Sequence, residues 1–158
     1  MTTALSTLLL GFGNAARGDD GIGVHAIGYL NDKPIALPGA RFLDGGTSIF
    51  ELLEHVEGCE RLIVIDAAEF EAAPGTVRCF IDEEMDHQLG QARRTVHEVA
   101  LRDLLDMARL RDALPRRRAL IGVQPRVVGW STESSPEILA ALPLIRERVL
   151  ELGRIWTA

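Results

Sequence analysis

Several things that would narrow the function quickly are missing from this 158-residue sequence. Cysteine is almost absent: Cys59 and Cys79 stand twenty positions apart and match no zinc spacing, so both are expected as reduced thiols in or near the core of a cytoplasmic protein. There is no basic excess either. A net charge of -6 and a pI near 5.2 argue against a nucleic-acid or anionic-membrane partner, because neither polyanion is drawn to an acidic surface. No apolar run approaches the roughly 20 residues of a membrane span. The opening MTTALSTLLLGFGN lacks a basic start and is broken early by glycine, which suits a buried strand better than a signal peptide. Hydrolase signatures are missing as well: no G-x-S-x-G elbow, no H-E-x-x-H helix and no cysteine credibly paired with histidine. Internal repeats, low-complexity tracts and long linkers are absent, so one domain covering residues 1–158 is expected.

What is present is an alternation of strand-length apolar runs with helix-period segments, the pattern of an α/β domain with a largely parallel sheet. Strands are expected near Thr7 to Gly13, Ala40 to Asp44, Arg61 to Asp66, Thr76 to Asp82 and Arg118 to Gln124. Helices are expected near Asp20 to Leu30, Thr47 to Val56, Val96 to Leu110 and Pro136 to Leu152. The run RLIVIDAAEF reads as a strand covered on both faces that ends at Asp66. Pro74-Gly75 marks a tight turn with no room for a crossover helix, which makes the fourth strand antiparallel and places it at an edge. Thr95 with Glu98 forms a capping-box pattern, and Ser135-Pro136-Glu137 supplies a cap, a proline at the first helical position and an acid near the positive helix end. The arginine runs Arg93-Arg94 and Arg116-Arg117-Arg118 read as solvated element ends.

The residues able to carry chemistry lie mostly where strands end. GFGNAARGDDGIG, Gly11 to Gly23, resembles a dinucleotide fingerprint through Gly11, Gly13 and Ala16, with Asp44 as a ribose-binding acid. That reading fails because Arg17 to Asp20 delay the helix, and two carboxylates would face the incoming anion. An acidic pair on a loop after a strand suits a cation better, although Asp19 or Asp20 could equally cap the first helix. Asp66 closes a buried strand at the edge where open α/β sheets bind ligands; the alternative is a turn cap or a surface ion pair. Asp44, before Gly45-Gly46-Thr47, is a site acid or a cap for the second helix. His97, in the first turn of its helix, is held neutral and able to bind a metal by the positive helix end, unless it is an ordinary packing residue. His25, within the first helix, and His87, on an expected loop, have no positional argument, and His55 stands no higher. Asp20, Asp66 and His97 together offer two carboxylates and one imidazole, a mixed set that suits nickel or zinc and leaves coordination positions open.

LLLGFGNAARGDDGIG, LDGGT at Leu43 to Thr47, LIVIDA at Leu62 to Ala67, PGT at Pro74 to Thr76, GVQP at Gly122 to Pro125 and SSPEILAALP at Ser134 to Pro143 occur in one order. In that order they resemble the motifs of the maturation endopeptidases of [NiFe] hydrogenases across nearly the whole chain. The resemblance implies a three-layer α/β sandwich, with a twisted, mostly parallel five-stranded sheet between helices. It implies an endopeptidase of aspartic or metallo type, dependent on nickel, that removes the C-terminal extension of a hydrogenase large-subunit precursor once nickel is inserted. On that resemblance Asp20, Asp66 and His97 recognise the metal, and a catalytic role falls on Asp44, Asp20 or Asp66. Nickel then arrives with the precursor, and no tightly held resident metal is expected in what would be a monomer. The rivals are a metallopeptidase with its own ion and a non-catalytic nickel-sensing chaperone of the large subunit.

Overall fold

A computed structural model describes residues 6–13, 18–33, 37–45, 49–91, 96–126 and 135–157; within these, the side chains of Asp19, Asp20, Ile49, Phe50, Val96, His97, Glu98 and Thr157 lie outside the description. The strands are β1 (Thr7–Gly11), β2 (Ala40–Asp44), β3 (Arg61–Ala67), β4 (Val77–Ile81) and β5 (Arg117–Val123). The helices are α1 (Ile22–Asp32), α2 (Ile49–Glu57), α3 (Glu83–Leu89), α4 (Val96–Leu110), α5 (Pro136–Leu139) and α6 (Leu142–Thr157), and a 3₁₀ turn, Gly18–Gly21, precedes α1.

The strands form one sheet in the order β2-β1-β3-β5-β4. β2, β1, β3 and β5 run parallel, and β4 pairs with β5 antiparallel at the edge, as the Pro74-Gly75 turn predicts. Alternation along the strands divides the apolar side chains between two cores. Leu9, Ile63, Ile65 and Ile121 face α1 and α6, meeting Ala26, Leu30, Ile145 and Val149. Leu8, Leu10, Leu62, Val64 and Leu120 face α2, α3 and α4, meeting Leu52, Val56, Met85, Leu101 and Leu104. Every residue of β3 is buried, because helices cover both faces of the central strand. The layers are therefore helices, sheet, helices, in accord with the sandwich expected from the resemblance.

Four expectations are corrected. The first helix starts at Ile22, not Asp20, and Gly21 occupies its N-cap, so neither aspartate is that cap. His87 lies in helix α3 instead of a loop; α3 is anchored by only two buried apolar residues, Met85 and Leu89, and three acids in its first turn face the positive helix end. The final helix is broken into α5 and α6 before Pro143, whose ring supplies no N–H for the Leu139 carbonyl. At the start of α5, Ile138 and Leu139 donate to the Ser135 carbonyl, while the Ser135 hydroxyl makes no capping bond.

Arg118 also departs from the solvated role expected of its run: it is 9% exposed and clamps Asp86 of α3. Its Nε donates to Asp86 Oδ1 at 3.0 Å, its Nη2 to Oδ2 at 2.5 Å and its Nη1 to the Pro115 carbonyl at 3.2 Å. The hydrogen bond to Asp86 raises the guanidinium above its ordinary pKa. Arg116 and Arg117 are exposed, whereas Arg93, Arg94 and Thr95 lie outside the described residues. Both cysteines are free, and burial pushes each thiol up to about 11, which leaves them protonated at neutral pH.

Two glycines bring α1 against the strand ends. A Cβ on Gly23 would stand 2.3 Å from the carbonyl oxygens of both Ile65 and Phe12, and one on Gly11 would stand 2.2 Å from the Gly23 carbonyl. Only hydrogen at both positions permits this approach. Gly23→Ala is therefore expected to destabilise the fold by about 3 kcal/mol, since backbone on both sides cannot yield. Urea unfolding of the variant measures this, and a loss below about 1 kcal/mol would show that the helix can back away from the sheet.

Candidate active site at the carboxyl edge of the sheet

Because β2, β1, β3 and β5 are parallel, their carboxyl ends share one edge, which carries Asp44, Phe12, Asp66 and Gln124. The chain leaves β1 toward β2 on one side, whereas from β3 it leads toward β4 and β5 on the other. Diverging loops at such a switch open a crevice between the two strands. Asp66 is the penultimate residue of β3 on this crevice and is 2% exposed. It lies in register with Gly122 of β5, a position without a side chain.

The backbone that carries Asp20 reaches the same place. Phe12 N–H donates to the Ile65 carbonyl at 2.9 Å, and the 3₁₀ turn Gly18–Gly21 packs against β3. Gly13 and Gly18, at φ +131° and +59°, bracket the intervening bend with backbone that other residues rarely adopt. The Asp20 side chain itself lies outside the described residues, as do residues 14–17.

His97 is the second residue of α4, and its side chain is likewise outside the description. The direction of α4 fixes where its backbone starts. Arg111, just beyond the end of α4, pairs with Glu57 at the end of α2 at 2.5 Å. The two packed helices therefore run the same way. Since α2 descends from the carboxyl edge after β2, α4 starts at that edge too. Strand alternation points Asp66 the same way as Leu62 and Val64, to the face that α4 covers. The Asp66 side and the start of α4 thus share one face, at the positive end of a 15-residue helix.

Asp44 is placed differently. It is exposed and in register with Gly11, across β1 from Ile65. Its alternation follows Phe42, which packs into the opposite core, so it starts from the α1 and α6 face of the sheet. Residues 46–48, where a cap for α2 would be formed, lie outside the described residues. Among the described residues no three metal-capable side chains are gathered.

The residue missed by sequence reasoning is Gln124, expected only as the end of a strand. It is 4% exposed, and its side chain bonds to the segment that leaves β3 after Asp66. A polar residue ending an apolar strand was the available signal, with no indication of its partners 52 to 55 positions away. A cleft of about 610 Å³ exists elsewhere, lined by Cys59, Arg61, Pro115, Arg116, Arg117 and Trp156. Arg61 and Arg117 begin their strands, so this cleft lies at the amino edge, far from the aspartates.

Comparison with known proteins shows the family and the fold. Residues 24–152 match the family model for hydrogenase maturation protease. The chain is 39% identical over 155 residues to the hydrogenase expression/formation protein HoxM of Azotobacter vinelandii, covering 92% of this chain and 75% of that one. It is 32% identical over 144 residues to the hydrogenase 2 maturation protease of Escherichia coli, covering 90% of this chain and 87% of that one. The solved structure of the hydrogenase maturating endopeptidase HybD from Escherichia coli superposes with a TM-score of 0.87 at 30% identity, covering 95% and 93% of the two chains.

Proposed function

We propose, from the premise that this chain belongs to the hydrogenase maturation protease family, that it is the endopeptidase that removes the C-terminal extension of a [NiFe] hydrogenase large-subunit precursor after nickel insertion. The observation that carries this reading is Asp66. It is a carboxylate 2% exposed near the end of a central parallel strand, at the edge where open α/β sheets bind their ligands. In this proposal the ligand is nickel bound to the precursor, and it belongs to the substrate.

Asp20, Asp66 and His97 complete the coordination of this nickel in the proposal. Two oxygens and one imidazole nitrogen suit a divalent first-row ion, and three protein ligands leave room for those the precursor supplies. Docking the metal at the crevice brings the scissile peptide bond beside the carboxyl edge. The hydrolytic step adds water across that bond, with a carboxylate accepting the proton of the attacking water and the new amine taking one up. Asp20 and Asp66 are candidates for that base beside the metal. Asp44 is the third, reaching the edge from the other face of the sheet. The free thiols accord with a cytoplasmic place of action.

Incubation of the purified protein with nickel-loaded precursor, followed by mass spectrometry, tests the reading. The expected products are a shortened large subunit and a released C-terminal peptide. The protease alone should hold well under about 0.1 metal ion per chain after desalting, because three ligands on separate segments make a weak site by themselves. An intact precursor held in a stable complex would instead make the chain a chaperone. About one retained ion per chain would make it a metallopeptidase with a resident metal.

A further inference from the structure

Gln124 follows β5 directly and reaches across the edge of the sheet. Its Oε1 accepts from the N–H groups of Phe70 at 2.9 Å and Ala72 at 3.2 Å, while its Nε2 donates to Glu69 Oε2 at 2.8 Å. Its backbone N–H donates to the Thr76 carbonyl, and its own carbonyl accepts from Gly75 N–H, both at 2.9 Å. One residue therefore grips the β3–β4 connection near both of its ends. The grip continues through Glu69, whose Oε1 accepts from Glu71 N–H at 3.1 Å and whose carbonyl accepts from Gln88 Nε2 of α3 at 3.1 Å. Glu71 sits at φ +58°, a left-handed conformation that costs roughly 1 kcal/mol or more and persists only where neighbours impose it.

This connection begins immediately after Asp66. Ala68 N–H donates to the Val123 carbonyl at 3.0 Å, so the chain stays in the sheet for two residues past the aspartate before it turns. A primary amide suits the place because it accepts two N–H groups with one end and donates to a carboxylate with the other. Glutamate could accept the same two bonds but would set a second carboxylate against Glu69.

We propose that Gln124 is a positioning residue for the reaction: its amide holds segment 68–72 in one conformation and thereby fixes the carboxylate of Asp66 at the crevice. The proposal rests on the role given above to Asp66. The segment acts in this proposal on the reacting groups and not on the docking of the precursor. Loosening the segment therefore weakens the transition-state arrangement more than ground-state binding, and turnover falls while KM holds.

The test compares Gln124→Glu, the swap Glu69→Gln/Gln124→Glu and Glu69→Ala with the unaltered chain. Readouts are kcat and KM on nickel-loaded precursor, thermal midpoint, and hydrogen exchange at residues 68–72. Gln124→Glu is expected to lower kcat about tenfold or more with KM within about twofold, and to raise exchange at Phe70 and Ala72. The swap restores donor and acceptor with their roles reversed, and is expected to recover kcat to within about threefold. Glu69 is exposed, and Glu69→Ala removes the bond from Gln124 Nε2 but leaves both bonds that Gln124 Oε1 accepts; this variant is expected to fold, with kcat lowered about threefold or more. Faster exchange in 68–72 with kcat unchanged would overturn the proposal, as would a kcat loss that the swap does not repair. The unaltered chain, assayed on nickel-free precursor alongside, reports separately on nickel recognition. Equal cleavage there would remove nickel recognition by Asp66, while a kcat loss repaired by the swap would still tie turnover to the conformation of segment 68–72.

Discussion

Asp66→Asn is expected to slow cleavage of nickel-loaded precursor by at least about a thousandfold while the protein stays folded. Asparagine keeps the size and shape of aspartate, so the packed end of β3 is undisturbed and stability should change by about 1 kcal/mol or less. What disappears is the negative charge. A neutral amide oxygen is a poor ligand for a divalent nickel ion, and it is no base for an attacking water. The variant separates a ligand from a structural residue in a way that alanine would not, because truncating a side chain 2% exposed also opens a cavity. Initial rates followed by mass spectrometry, with the thermal midpoint as a control, are sufficient. Activity above about a tenth of the unaltered chain would remove Asp66 from metal recognition.

The sequence made the sheet readable because its central strands carry strong local signals. Arg61 to Ala67 is apolar throughout except at Arg61 and Asp66, which only a strand buried on both faces permits. The antiparallel edge followed from Pro74-Gly75, since no crossover helix fits in so short a link. What stayed hidden depends on partners distant in sequence or on small local cues. Helix α3 contributes two apolar anchors amid acids, too little periodicity to stand out in the sequence. The burial of Arg118 is decided by Asp86, 32 positions away, and an arginine triplet carries no trace of that pairing. The break before Pro143 was legible in principle, and a continuous apolar periodicity across it masked the missing donor.

At the site, strand ends were legible and side-chain assignment less so. Asp44 and Asp66 both close parallel strands, and sequence reading gave them the same kind of place while counting only Asp66 among the metal ligands. The parity of the strands separates them, sending Asp66 to the face of α4 and Asp44 to the face of α1. The glycines of GFGN and DDGIG read as freedom for a turn. Their larger role is to let the start of α1 touch the ends of β1 and β3, which brings the Asp20 turn to the crevice. Gln124 could not be assigned from sequence because its meaning lies in hydrogen bonds to a segment more than fifty residues earlier.

The central claim is that this protease recognises nickel carried by its substrate. It predicts a cleavage rate set by the metal content of the precursor, with no free metal added. The direct measurement supplies one preparation of the protease with nickel-loaded and nickel-free large subunit at equal concentration and follows release of the C-terminal peptide. Cleavage of the loaded form should exceed that of the nickel-free form by about a hundredfold or more, since loss of the shared ion removes the ligand contacts that align the scissile bond. Equal rates for the two forms would contradict the account, and with it the role assigned to Asp20, Asp66 and His97.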